Sequence, residues 1–537
     1  MERLVTGRPP TRCVNGVVAS PHYLASMAGA RVLADGGNAV DAAVATNAAL
    51  TVVYPHMCAL GGDAFWLIQV DGEQQPRGLN GSGRAPAVAR LEWFQERGIA
   101  EMPHRGMLPV TVPGAVDSWA TALEAHGTRS LDQVLAPAIQ YASEGFPVSA
   151  KLAAAIEHAT ELLEQNPAAA SVYLPSGRPP RTGELLVQSD LGRSLELLAR
   201  QGRDALYRGS LGSAIAATSR RLGGLLDEAD LARHRSDWVD PIRTTYRGTT
   251  IFELPPPTQG ILALEMLKLA EGYDLNLLGP ASAGLTHLLV EAKKLAYLDR
   301  DRYLTDPDFA EIPTERLLSS EYAAAQRERV DPARAQSHAP AAAYPQGDTI
   351  ALCTADRWGN AVTLIQSIYM GFGSGVMADG TGIMLQNRGA YFSLQPSHPN
   401  RIAPNKRTFH TLIPGMAFRD GRPWLVFGTM GADGQPQTHV QVLTNMIDFG
   451  MNVQEAIEAP RWLSGRFVLG DPPDVLNLEA RFADAVLADL EARGHQVRRL
   501  EAWAEVMGHA QAIEVDPSSG VLAGGADPRG DGAAIGW

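Results

Sequence analysis

The spacing of apolar positions changes along this chain. Ser26 to Asp35 and Ala39 to Val53 carry Ala-rich faces at helical spacing, and Gly36-Gly37 between them reads as a helix-ending turn. Phe65-Trp66-Leu67-Ile68-Gln69-Val70 is β-prone, and Asp71-Gly72 closes it as a hairpin turn. Helical spacing then dominates over Ser130 to Glu144, Leu152 to Glu164, Ser194 to Gln201 and Leu211 to Leu222, and again over Gly260 to Ala270 and Thr286 to Tyr303. Between Arg329 and Gln346 the composition turns to Ala, Pro, His, Ser and Gln, with Pro332, Pro340 and Pro345 as breakers, which predicts a mobile connector. Beyond it Ile350 to Asp356 and Ala361 to Ser367 flank the turn Arg357-Trp358-Gly359-Asn360 and read as an antiparallel hairpin. Two more helices are expected at Gln437 to Phe449 and Phe482 to Arg493. Strands in the middle with helices outside on both sides predict an α/β chain of layered αββα type.

Composition narrows the function. A net charge of −13 over 537 residues provides no basic face to release counterions from a phosphate backbone, so a nucleic-acid partner is not expected. Met1 to Arg12 holds charges and prolines without an apolar core, and Ala39 to Tyr54 is interrupted by Asp41, Thr46 and Asn47. Neither secretion nor a membrane span is expected, and the reading is cytoplasmic. The three cysteines, Cys13, Cys58 and Cys353, are too few for a disulfide framework and lack metal-ligand spacing. Cys353 reads as a small core residue. His56, His287, His410 and His439 are scattered, so neither a metal nor another cofactor is implied.

The chemistry centres on Gly347-Asp348-Thr349, at the leading edge of the hairpin and the end of the connector. A threonine hydroxyl is a poor nucleophile without a base beside it, and cutting before Thr349 would release an α-amine of pKa about 8 to serve as that base. Taken alone, the tripeptide reads as a turn entering a strand, well ahead of a nucleophile.

Its surroundings decide between these readings. Asp35-Gly36-Gly37-Asn38-Ala39-Val40-Asp41, Tyr54-Pro55-His56 and Leu60-Gly61-Gly62-Asp63 come first, then Val112-Pro113-Gly114, Tyr246-Arg247-Gly248, Pro255-Pro256-Pro257 and Glu291-Ala292-Lys293-Lys294. After Thr349 follow Gly371-Phe372-Gly373-Ser374-Gly375, Pro404-Asn405-Lys406-Arg407 and Gly524-Gly525-Ala526-Asp527-Pro528-Arg529. In this order they resemble the γ-glutamyltranspeptidase family of N-terminal-nucleophile hydrolases over almost the whole chain.

The resemblance implies a four-layer αββα sandwich and a precursor cut between Asp348 and Thr349. Residues 1–348 and 349–537 would then be two associated subunits of one core, with a homo-oligomer of such heterodimers left open. Thr349 would attack a substrate amide, Ser367 would steady the nucleophile, and the amides of Gly431 and Ala432, within Gly428-Thr429-Met430-Gly431-Ala432-Asp433-Gly434, would hold the oxyanion. Alanine at that turn is expected to be tolerated if its φ is negative.

Departures from the family pattern bear on the substrate. Ser82 takes the register of the family arginine and displaces Arg84 by two positions. Arg388 replaces a glutamine, Tyr391 an aspartate and Tyr369 an asparagine, while His410 and Thr411 stand for two serines. The counter-ion for a substrate ammonium is gone and a fixed cation has arrived, which favours a carboxylate over an α-amine. The pattern is similar to transpeptidase-like amidohydrolases acting on oxamate, so a small anionic amide is the expected substrate. A γ-glutamyltransferase or glutathione hydrolase is the alternative, with an acylase of the cephalosporin type and a catalytically silent binding protein more remote. The short run Ser393 to Asn405 leaves no room for a lid, which favours hydrolysis.

Overall fold

A computed structural model describes residues 7–337, 347–465 and 474–537. Two seven-stranded sheets lie face to face, and helices cover both outer surfaces. In the first sheet the strand Asp348–Asp356 pairs antiparallel with Gly16–Ser20 on one side and with Ala361–Tyr369 on the other, and Ala361–Tyr369 pairs in turn with Asp63–Gln69. In the second, Arg422–Thr429 lies between Gly415–Arg419 and Ala510–Val515.

Alternation along the central hairpin builds the layers. Ala351, Cys353 and Ala355 join Ile365, Val426 and Ile513 in the core between the sheets, whereas Ile350, Leu352, Val362 and Leu364 pack outward against the helices. Small residues let the sheets approach: a Cβ at Gly428 would come within 2.7 Å of Ile365 Cδ1 and 3.3 Å of Ala351 Cβ. Cys353 fills this core, its Sγ 3.4 Å from the Gln511 carbonyl, and burial pushes its thiol pKa up.

The helix Ala39–Val53 is buried along its whole length beneath the first sheet. Asn38 caps it in a box with Asp41, and the Asp356 carboxylate accepts from Ala39 N at 2.9 Å, which ties the helix start to the far end of the Thr349 strand. Ala283–Tyr303 and Gln435–Ile447 belong to the layer over the other sheet.

Several expectations need correction. The helix expected over Leu152 to Glu164 is two, Ala150–His158 and Thr160–Glu164, broken at Ala159. A six-residue helix at Val453–Glu458 carried too short a pattern to be foreseen. The part of the connector that is described, 329–337, is moored: Gln336 N donates to Glu291 Oε2, Lys294 Nζ to the Gln336 carbonyl, and Ala335 N to the Arg493 carbonyl. Residues 338–346 lie outside the described residues. No helix among the described residues is long and apolar enough to cross a membrane.

Candidate active site

Thr349 sits where the hairpin register slips. Asp348 is opposite Tyr369 and Ile350 opposite Gln366, so Thr349 alone faces two residues, Ser367 and Ile368, of a β-bulge in the partner strand. The extra residue breaks strict alternation in that partner strand, at Ser367 and Ile368. Thr349 is buried, and its hydroxyl has no hydrogen-bond partner among the described residues.

The peptide bond before it is gripped from one side. Ser367 Oγ donates to the Asp348 carbonyl at 2.6 Å and accepts from Tyr369 N at 2.7 Å and from Arg388 Nη2 at 3.0 Å. Arg388 also donates through Nη1 to Thr411 Oγ1 at 3.2 Å, and its guanidinium lies over the rings of Tyr369 and Tyr391, 4.8 and 5.4 Å from their centroids. It is 1 % exposed, and among the described residues its hydrogen-bond partners are these hydroxyls, with no carboxylate in an ion pair with it. Tyr369 holds φ at +77°, an uncommon left-handed conformation for a bulky residue. The Asp348 carboxyl is pushed up to about 7 by burial and by Glu505, against the pull of Arg105 and of a hydrogen bond from Gly371.

The glycine-rich turn meets the same place from the second sheet. A Cβ at Gly347 would lie 3.2 Å from Ala432 Cβ and 2.8 Å from Tyr369 Cδ2. Gly431 has φ +126°, and Ala432 has φ +45°. The condition set for tolerating alanine, a negative φ, is therefore not met at Ala432: alanine is accommodated there in the left-handed region, with its attendant strain.

Other expected residues divide. His410 is brought in, its Nε2 3.2 Å from Asp63 Oδ2 and its ring against Phe65. Burial holds His410 neutral, its pKa well below the usual value. Arg84 instead pairs with Asp237 at 3.3 Å, half-buried, where Arg407 also lands. Ser82 donates to its neighbour Asn80. The short run after Tyr391 folds on itself through Ser393 N to the Asn400 carbonyl, and Asn400 Nδ2 donates to the Tyr391 carbonyl.

The γ-glutamyltranspeptidase model matches residues 25–537. The chain belongs to that family. It is thus an enzyme of the N-terminal-nucleophile hydrolase fold. It is 45% identical over 522 residues to the glutathione hydrolase-like YwrD proenzyme of Bacillus subtilis (strain 168), covering 97% of this chain and 98% of that protein. It is 41% identical over 530 residues to the oxamate amidohydrolase proenzyme of Klebsiella pneumoniae, again covering 97% and 98%. The crystal structure of cephalosporin acylase from Bacillus halodurans superposes with a TM-score of 0.93 at 39% identity, over 100% of this chain and 98% of that one.

Within this family member, two polar residues at the site escaped the sequence reading. Asp63 pairs in register with Ser367 and is fully buried, its Oδ1 accepting from Gly83 N and Gln386 Nε2. Burial raises its carboxyl to about 6, although those hydrogen bonds and Arg388 and Arg407 work against the shift. Gln259 donates through one amide nitrogen to the carbonyls of Thr411 and Ala432, joining the pocket to the glycine turn. The available signal was position: Asp63 ends the Leu60-Gly61-Gly62 motif and Gln259 follows the triple proline. His287 and Glu291, four residues apart on one helix, and the remote His495 also converge within 4.8 Å, but His287 is engaged by His495 Nε2 and the Asp331 carbonyl, and Glu291 by Lys294 and Gln336 N.

Proposed function

We propose that this chain is a self-cleaving threonine amidohydrolase for small amides that carry a carboxylate, such as oxamate. Cleavage between Asp348 and Thr349 yields chains 1–348 and 349–537. In turnover the Thr349 hydroxyl adds to the substrate carbonyl while its proton passes to the freed α-amine, the amides of Gly431 and Ala432 receive the oxyanion, and water resolves the acyl-enzyme. Ser367 steadies the hydroxyl. Arg388, Tyr369, Tyr391, His410 and Thr411 line the acyl pocket, and Arg84 stands outside this assignment because it is held by Asp237.

The observation that carries the reading is the buried Arg388 guanidinium, seated on hydroxyls and aromatic rings rather than on an internal acid. Such a cation favours a substrate carboxylate and repels an α-ammonium. Asp63 does not restore the missing counter-ion, because Gly83, Gln386 and His410 occupy its oxygens.

A second reading, hydrolysis of γ-glutamyl amides, is favoured by the likeness to the glutathione hydrolase-like protein. One experiment separates them: kcat/KM for oxamate, glutamine and a γ-glutamyl anilide with wild type, Arg388→Gln and Arg388→Gln/Tyr391→Asp. Oxamate should be preferred by wild type. Arg388→Gln should cost about 2–4 kcal/mol of transition-state binding for it. Adding Tyr391→Asp should move preference toward substrates with an α-ammonium. A wild-type preference for the γ-glutamyl donor, undiminished by Arg388→Gln, would put the second reading in front.

A further inference from the structure

We propose that Ser367 and Arg388 activate the scissile carbonyl of the precursor, Ser367 by direct contact and Arg388 as a positioning residue behind it. The inference rests on the assignment of Thr349 as nucleophile, and it gives this pair a task that precedes turnover.

The argument begins with proton counting. A serine hydroxyl has one proton and two acceptor sites. Tyr369 N and Arg388 Nη2 both donate to Ser367 Oγ, at 2.7 and 3.0 Å, so both acceptor sites are taken by groups that cannot accept in return. The single Ser367 proton therefore points at the remaining neighbour, the Asp348 carbonyl oxygen 2.6 Å away. That carbonyl is the one Thr349 would attack. Because one of the two donors is a charged guanidinium in a buried setting, it polarises the Oγ–H bond and strengthens the contact as negative charge develops on the carbonyl oxygen.

The guanidinium is fixed for this task. Thr411 Oγ1 anchors its other terminal nitrogen, and the rings of Tyr369 and Tyr391 flank it. The left-handed φ of Tyr369 belongs to the same device, since it accompanies the turn that brings Tyr369 N onto Ser367 Oγ.

The step balances as follows. Thr349 Oγ bonds to the Asp348 carbonyl carbon, and the carbonyl electron pair moves onto the oxygen held by Ser367. The pair then returns, the carbon–nitrogen bond breaks, and the proton lost by the Thr349 hydroxyl ends on its nitrogen, leaving an ester and a free amine. Water adds to the ester, the Thr349 hydroxyl reforms, and Asp348 leaves as a carboxylic acid. Ser367 then has no carbonyl to hold, and its hydroxyl becomes free to serve Thr349.

The test is the rate at which newly made full-length chain is cut, followed by denaturing electrophoresis with N-terminal sequencing of the small fragment. Ser367→Ala should slow cleavage about 100-fold or more, the scale of losing one oxyanion donor. Arg388→Met should slow it about 10-fold or more, and Arg388→Lys should recover much of the loss because charge and one donor return. In a Ser367→Ala background, Arg388→Met should add less than about twofold, because the path from Arg388 to the carbonyl runs through Ser367. A merely structural Arg388 would cost the same in both backgrounds. That result, or wild-type cleavage by Arg388→Met, would overturn the proposal. Thermal unfolding reports folding of each variant, and if Arg388→Met does not fold, the comparison of Arg388→Lys with Arg388→Gln replaces it: equal rates for these two would count equally against the idea. A wild-type chain that is not cut before Thr349 would defeat the nucleophile assignment itself, a separate failure.

Discussion

A threonine needs shaped surroundings to act as a nucleophile, and those of Thr349, the proposed nucleophile, are a β-bulge in the partner strand, a gripped carbonyl and a turn in left-handed conformations. Denaturing electrophoresis of the purified protein should show two fragments, the smaller beginning at Thr349. Thr349→Ala should remain one chain, since alanine has no oxygen with which to attack Asp348. Ala432 supports a second expectation. At φ +45° an alanine carries strain that glycine does not, so Ala432→Gly should raise stability by about 0.5–1 kcal/mol and preserve activity, read from thermal unfolding and turnover of the same preparation. Thr349, Ser367 and the Gly431-Ala432 turn were legible because motif order marks them. Asp63 and Gln259 were not, because their roles exist only through partners such as Gln386, His410 and Thr411 that are far away in sequence.

At the level of elements, legibility followed length and regularity. Ala39–Val53 was found from its period, and the hairpin Asp348–Asp356 with Ala361–Tyr369 from two β-prone runs around an Asp/Gly/Asn turn. The break at Ala159 was hidden, because alanine itself favours helix and the backbone departs there from helical ψ for reasons outside local propensity. The two sheets meet at Gly428, where the hairpin's Ala351 and Ile365 face it. Gly428→Val should destabilise the protein by about 1–3 kcal/mol, because the Ala351 Cβ cannot withdraw as a flexible side chain would. The same change should slow precursor cleavage by disturbing the strand that leads with Thr349. Denaturant unfolding and the cleavage time course check both.

Across the whole molecule, a buried ion cluster ties the last segment to the core. Arg529 pairs with Glu479 at 2.7 Å and with Asp527 at 3.1 Å, while Arg461 reaches Asp527 at 2.7 Å. Burial alone would raise the Asp527 carboxyl, but Arg461 and Arg529 outweigh it and hold it at about 2. The unfolded chain, with an ordinary carboxyl near pKa 3.9, takes up a proton first as pH falls. The stabilisation from Asp527 is therefore intact above about pH 4 and is lost as pH drops toward about 2. Asp527→Asn should cost about 3–5 kcal/mol at neutral pH by leaving buried arginine charge uncompensated. Its acid-unfolding curve, followed by circular dichroism, should be flatter than that of wild type across the same window.

The sequence by itself determined the family, the layered α/β class and the candidate nucleophile, because hydrophobic period and ordered motifs are local properties that need no partner to be read. Only the tertiary structure decided that Arg388 rests on Ser367 and Thr411, that Arg84 is claimed by Asp237, that Ala432 lies in the left-handed region, and that Asp63 stands beside His410. Each depends on which side chains the two sheets bring face to face. Register and sheet approach are set by packing across the whole sandwich, so residue types along one strand do not disclose them.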